Sequence, residues 1–177
     1  QESKGSLFQI DLEFEAGTAA PLSSNEKEHP IISEKATDIL TGSHFLIAED
    51  NEINAEILQS LLEMHGARSQ LETDGEKVVK AFSSNPPGTY DAVLMDIQMP
   101  VINGYEATRV IRALPREDAG TIPIIAMTAN AFAEDVQTAL EAGMTAHVAK
   151  PIDLDVLQTT LKNALSQKLR LEERQQR

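Results

Sequence analysis

The 177-residue chain has no cysteine and no tryptophan. Without cysteine there is no disulfide framework and no thiolate metal site, and a reducing compartment such as the cytosol suits it. Aromatic residues make up only 4%, so the core is built from Leu, Ile, Val, Ala and Met. No apolar run approaches the roughly 20 residues of a membrane span, and nothing at the start reads as a signal peptide. Positive charge is scarce: Lys and Arg number 15 against 28 Asp and Glu, for a net charge of −13. Residues 1–43 and 44–177 are both acidic, at −5 and −8. Nucleic-acid backbone and anionic membrane surfaces are therefore poor partners.

What is present is a 41% hydrophobic fraction, enough for a core, and a pattern that changes once along the chain. Residues 5–15 alternate, Leu7 apart, with Phe8, Ile10, Leu12 and Phe14 on one face and Gln9, Asp11, Glu13 and Glu15 on the other. That is the pattern of a half-buried strand, isolated from any sheet of its own. Residues 16–43, rich in Ser, Thr, Pro, Glu and Ala, read as a linker. From His44 to Leu169, strand-like and helix-like segments alternate, and residues 170–177 form a polar tail expected to fray at Glu172 and beyond.

Five strands are expected, at 44–48, 67–71, 92–95, 122–127 and 145–149. Between them lie helices with apolar faces, the first carrying Ile53, Ile57, Leu58, Leu61 and Leu62, and the last Leu154, Leu157, Leu161 and Leu165. Gly66 and Gly143 end helices, Asn85-Pro86-Pro87-Gly88 is a turn, and Asp153 is an N-cap. Five strand–helix pairs predict an α/β fold, a five-stranded parallel sheet with helices on both faces.

The strand ends carry the chemistry. The first ends in Glu49-Asp50, the third in Asp96, the fourth in Thr128 and the fifth in Lys150. In a parallel sheet these ends share one edge, where open α/β sheets place their ligands. Carboxylates gathered at one crevice repel unless they share a cation, and hard oxygen ligands favour Mg²⁺. Metal, hydroxyl and ammonium together suit a phosphoryl group, and a carboxylate can itself be the nucleophile. Singly, each has an ordinary reading: Asp96 a solvated strand end, Glu49-Asp50 helix N-terminal charge, Thr128 a turn residue. His29, His44 and His65 read as surface or structural, the methionines as packing, Glu117-Asp118 as a solvated face, and Glu72-Thr73-Asp74 as a cap.

Glu49-Asp50, Asp96 with Met99-Pro100 and Gly104, Thr128-Ala129 and Lys150-Pro151 stand in the order and on the elements of a known family. Residues 44–169 resemble the receiver domain of two-component response regulators. The resemblance implies a flavodoxin-like fold, phosphorylation of Asp96, and Mg²⁺ held by Asp50, Asp96 and the Gln98 carbonyl, with Glu49 acting on metal-bound water. It implies that Thr128 contacts the phosphoryl group and Lys150 pairs with it, and that Gln98 and Asn130 set the dephosphorylation rate. Neither of these is an acid that positions water strongly, which suits a phosphoryl group surviving long enough to be relayed. His147 departs from the pattern, standing where the family often has a switching Tyr or Phe.

Gly5-Ser6-Leu7-Phe8-Gln9-Ile10 looks like the closing strand of a histidine-kinase ATP-binding domain. Residues 1–15 would then be a kinase remnant and the chain the tail of a hybrid sensor kinase, membrane-anchored as a whole, with this part cytoplasmic and making no direct membrane contact. The partners implied are the kinase domain of the same parent and a His-containing phosphotransfer domain, with no nucleic acid. The competing reading is a degenerate receiver that only binds partners; the complete residue set argues against it. A hydrolase of the aspartyl-phosphate type would want an acid at Gln98, and a nucleotide-binding protein a Gly-rich loop after the first strand.

Overall fold

The computed structural model describes residues 40–129 and 133–175; the strand expected at 1–15, most of the linker and Asn130 lie outside these. Ten elements alternate: β1 (His44–Ala48), α1 (Glu52–Met64), β2 (Arg68–Glu72), α2 (Gly75–Ser84), β3 (Ala92–Asp96), α3 (Gly104–Ala113), β4 (Ile124–Thr128), α4 (Ala133–Glu141), β5 (Ala146–Ala149) and α5 (Leu154–Gln175). The strands pair in parallel in the order β2-β1-β3-β4-β5. This is the expected flavodoxin-like sheet. The order reverses between β1 and β3, which opens a crevice at their C-terminal ends.

The period-2 alternation of side chains sends each strand's residues to opposite faces. Leu46, Ala48, Val93, Met95, Ile124 and Ala126 pack against residues of α2, α3 and α4. Phe45, Ile47, Leu94, Ile125 and Met127 pack against α1 and α5. Two of the three interior strands, β3 and β4, are buried along their whole length, the signature of a sheet covered on two sides. Side chains such as Phe45 and Leu94, with no exposure, each contribute roughly 1.5–3 kcal/mol of transfer free energy.

Side-chain caps fix where helices begin, and so where the strand-end residues stand. Asn51 accepts from the N–H groups of Ile53 and Asn54 at the start of α1. Asp74 accepts from Lys77 N–H at α2, and Asn103 and Glu106 form a reciprocal capping box at α3, satisfying donors that helix starts otherwise leave orphaned. Asp153 accepts from Val156 N–H at 3.1 Å.

Four expectations need correction. Leu40 is fully buried and Gly42 N–H donates to Gly66 O, so residues 40–43 belong to the domain and not to the linker. The buried stripe of α1 is Ala55, Leu58 and Leu62, leaving Ile53 and Ile57 69% and 53% exposed; at about 100° per residue the two isoleucines fall on the opposite side. The final helix buries Ala164, with Leu165 half-buried, and continues to Gln175 through the expected tail, a run of Leu, Arg, Glu and Gln that favours helix. Asp118 is not solvated: it is 7% exposed, pairs with Arg116 at 2.5 Å and accepts from Gly88 N–H at 2.9 Å. Arg116 also donates to the Phe82 and Asn85 carbonyls and stacks over the Phe82 ring. The paired Arg116 and Asp118, both in the loop before β4, thus hold it by hydrogen bonds to the end of α2 and the turn that follows.

Candidate active site

Asp96 closes β3, the middle strand, and is 6% exposed. Its Oδ1 accepts from Gln98 N–H at 3.1 Å and its Oδ2 from Lys150 Nζ at 2.8 Å. Gly104 lets the following loop and α3 pass close behind: a Cβ there would run into the Asp96 carbonyl and lie 3.0 Å from Ile97 Cα. Gly104 N–H donates to Ile97 O at 3.0 Å, which closes the Met99-Pro100 loop. Within that loop, Val101 is held at φ 68°, a conformation that β-branched residues rarely adopt.

Glu49 follows β1 directly and is 2% exposed. Buried carboxylates require partners, and it has two: Lys150 Nζ donates to Oε2 at 2.6 Å, and Asn54 Nδ2 to Oε1 at 3.0 Å. Asp50 is exposed at the crevice mouth, beside the α1 N-terminus. Thr128 ends β4, is 7% exposed and lines the same crevice. Its carbonyl accepts from Lys150 N–H at 2.8 Å, which fixes the base of the lysine. The Lys150–Pro151 bond is cis. From β5 the lysine side chain crosses the end of β4 to reach β3, two inter-strand steps of about 4.8 Å each.

The crevice, of about 470 Å³, is also lined by Gln98, Asn54, Tyr105 and Asp135. The fold therefore brings together Glu49, Asp50, Asp96, Gln98, Thr128 and Lys150. It does not bring His147 there. That residue is half-buried in a separate groove with Thr160 and Asn163, between β5 and α5. Sequence reading assigned no role to Asn54; its only signal was a polar side chain in the first helical turn after an acid pair.

Electrostatics follow from burial and neighbours. Burial, the largest influence, raises the Asp96 carboxyl above its ordinary value, and the Glu49 charge adds to this, while Lys150 and the Gln98 N–H pull the other way. Burial disfavours the Lys150 ammonium too, but the hydrogen bonds it donates to the Asp96 and Glu49 carboxylates outweigh this, and its pKa is raised above the ordinary lysine value. The difference is one of partners: Lys150 faces two anions, whereas Asp96 shares its cation and sits near another anion.

Carboxylate oxygens of Glu49, Asp50 and Asp96 lie within 4.8 Å of one another. One ammonium does not neutralise three carboxylates, and the set is entirely hard oxygen, so the residues fit a divalent cation of the Mg²⁺ kind. Among the described residues, no helix is long and apolar enough to cross a membrane.

Residues 45–162 match the family described as response regulator receiver domain. Hybrid signal transduction histidine kinase I of Dictyostelium discoideum is 40% identical over 114 residues, covering 63% of this chain and 7% of that protein. The chain thus spans a small fraction of the relative it matches. The magnesium-coordinated receiver domain of sensor histidine kinase PA1611 from Pseudomonas aeruginosa superposes with a TM-score of 0.63 at 39% identity, covering 71% of this chain and 99% of that one. The receiver domain of Saccharomyces cerevisiae Ssk1, crystallised with the histidine phosphotransfer protein Ypd1, gives a TM-score of 0.60 at 29% identity over 68% of this chain and 87% of that chain. With the doubly wound sheet and the acid crevice at its switch point, the matched residues place this chain in the response regulator receiver family.

Proposed function

We propose that this chain is the phosphoaccepting receiver of a hybrid histidine kinase in a phosphorelay. The observation that carries the reading is the convergence of Asp96 with Lys150, Glu49, Asp50 and Thr128 on one crevice. An Asp96 carboxylate oxygen attacks the phosphorus of a phosphohistidine; the new P–O bond forms as the P–N bond breaks, and the imidazole leaves with that electron pair. Lys150 pairs with a phosphoryl oxygen and the Thr128 hydroxyl donates to another, both acting on charge that develops during transfer. Glu49, Asp50, Asp96 and the Gln98 carbonyl would hold Mg²⁺, which when bound neutralises phosphoryl oxygens. Gln98 and Asn130 tune how long the phosphoryl group lasts. The relative's name and the Ypd1 co-crystal support a kinase donor in the parent chain and a His-containing phosphotransfer acceptor. On this reading the domain works in the cytoplasm, its parent anchored in the inner membrane.

Incubation with MgCl₂ and a small phosphodonor, followed by intact mass measurement, tests the assignment. The parent gains the mass of one phosphoryl group and Asp96→Asn gains none. Equal labelling of the two proteins would place the phosphoacceptor elsewhere.

A further inference from the structure

Two groups hold the buried Glu49 carboxylate, and they differ in one respect. Lys150 donates to Oε2 at 2.6 Å but shares its ammonium with Asp96, at 2.8 Å. Asn54 donates to Oε1 at 3.0 Å through a neutral amide that has no bond to Asp96. On the functional reading above, a phosphoryl group arriving on Asp96 draws the lysine towards itself, and Glu49 loses part of that hold. The Asn54 contact does not depend on the occupancy of Asp96.

Asn54 is well placed for such a task. It sits in the first turn of α1, where its own N–H donates to the Asn51 cap at 3.1 Å, so the backbone bearing the amide is anchored. Its side chain lines the same crevice as Glu49, Asp50 and Asp96. A carboxylate with one oxygen pinned by a fixed donor keeps its remaining lone pairs aimed in one direction.

We propose that Asn54 is a positioning residue for the divalent-cation site: it holds the Glu49 carboxylate turned towards the crevice while Lys150 exchanges partners. The proposal rests on the phosphoacceptor reading and adds a residue to it. Partners of this kind set metal affinity, and their removal costs about 10–100-fold.

The test is calorimetric titration of the full chain with MgCl₂, alongside thermal melts without metal, for the parent, Asn54→Ala and the near-isosteric Asn54→Leu. The expected result is a Kd for Mg²⁺ raised about tenfold in both variants, with only a small fall in metal-free Tm, since Glu49 keeps its bond from Lys150 and both replacements favour helix. An unchanged Kd in both variants overturns the proposal; an unchanged Kd with a lowered Tm assigns Asn54 a purely structural role. If the parent itself takes up no Mg²⁺, the metal part of the functional reading fails first. If the parent binds and the variants bind equally, only the role of Asn54 fails.

Discussion

Lys150 Nζ donates to Asp96 Oδ2 at 2.8 Å, across 54 residues of sequence. The lysine is the counter-charge for both buried carboxylates, with its side chain 18% exposed against 8% for Asp96 and 2% for Glu49. Replacing Lys150 with Met leaves Glu49 and Asp96 facing each other uncompensated. Breaking a fully buried pair costs about 3–5 kcal/mol; discounted for a crevice open to water, the expected loss is about 1–3 kcal/mol. Mg²⁺ restores part of the missing charge, so urea unfolding with and without the metal should show a smaller deficit with it. A deficit independent of Mg²⁺ would argue that the lysine and the cation do not serve the same carboxylates.

Gly104→Ala places a methyl group against the Asp96 carbonyl and close to Met95. The obstacle is backbone of the central strand, which yields less readily than the tip of a side chain. The variant is expected to lose about 2–3 kcal/mol and to label more slowly from a small phosphodonor, because relief of the clash moves the strand end that carries Asp96. Labelling at the parental rate, under conditions where the variant is folded, would uncouple this glycine from the site.

Asp118 gives a prediction about acid. Burial opposes its ionisation, but the Arg116 guanidinium and the Gly88 N–H outweigh this and hold the carboxyl below its ordinary 3.8. A carboxylate with a depressed folded-state pKa contributes stability in full above 3.8 and loses it as pH falls through the folded value. Asp118→Asn should therefore cost about 2–4 kcal/mol at neutral pH, and the gap to the parent should close on acidification below about 3.8. Chemical denaturation of both proteins across this range checks the sign; a gap that widens in acid would contradict it.

Val101 is strained and 72% exposed, so little packing recommends a branched side chain there. Val101→Asn, which tolerates the left-handed conformation, is expected to raise stability by about 1 kcal/mol. A thermal melt decides it, and a lower Tm in the variant would show that the valine packs better than its exposure suggests.

The reacting set was legible in the sequence because each member sits at the end of a strand, and strand ends are local features. Glu49, Asp96, Thr128 and Lys150 needed only the parallel-sheet rule to meet. What escaped was set by partners distant in the chain. Asp118 looked solvated beside Glu117, yet its burial depends on Gly88, 30 residues earlier. Leu40 looked like linker because residues 16–43 show no steady apolar period, and only the face of α1 and α5 shows where it goes. Ile53 and Ile57 were assigned to the core because five apolar residues in α1 form a stripe wider than the sheet can cover. Asn54 escaped because an asparagine in a first turn usually serves its own helix.

The bond from Lys150 to Glu49 joins positions 101 apart in sequence, and the cluster draws its members from the ends of β1, β3, β4 and β5. No fragment that stops before the fifth strand contains it. Chemical competence therefore arrives together with completion of the sheet: a chain still emerging from the ribosome, or cut within α4, has the nucleophile but not the machinery. Uptake of a phosphoryl group would thus report an intact fold, and incomplete copies would draw none from the relay.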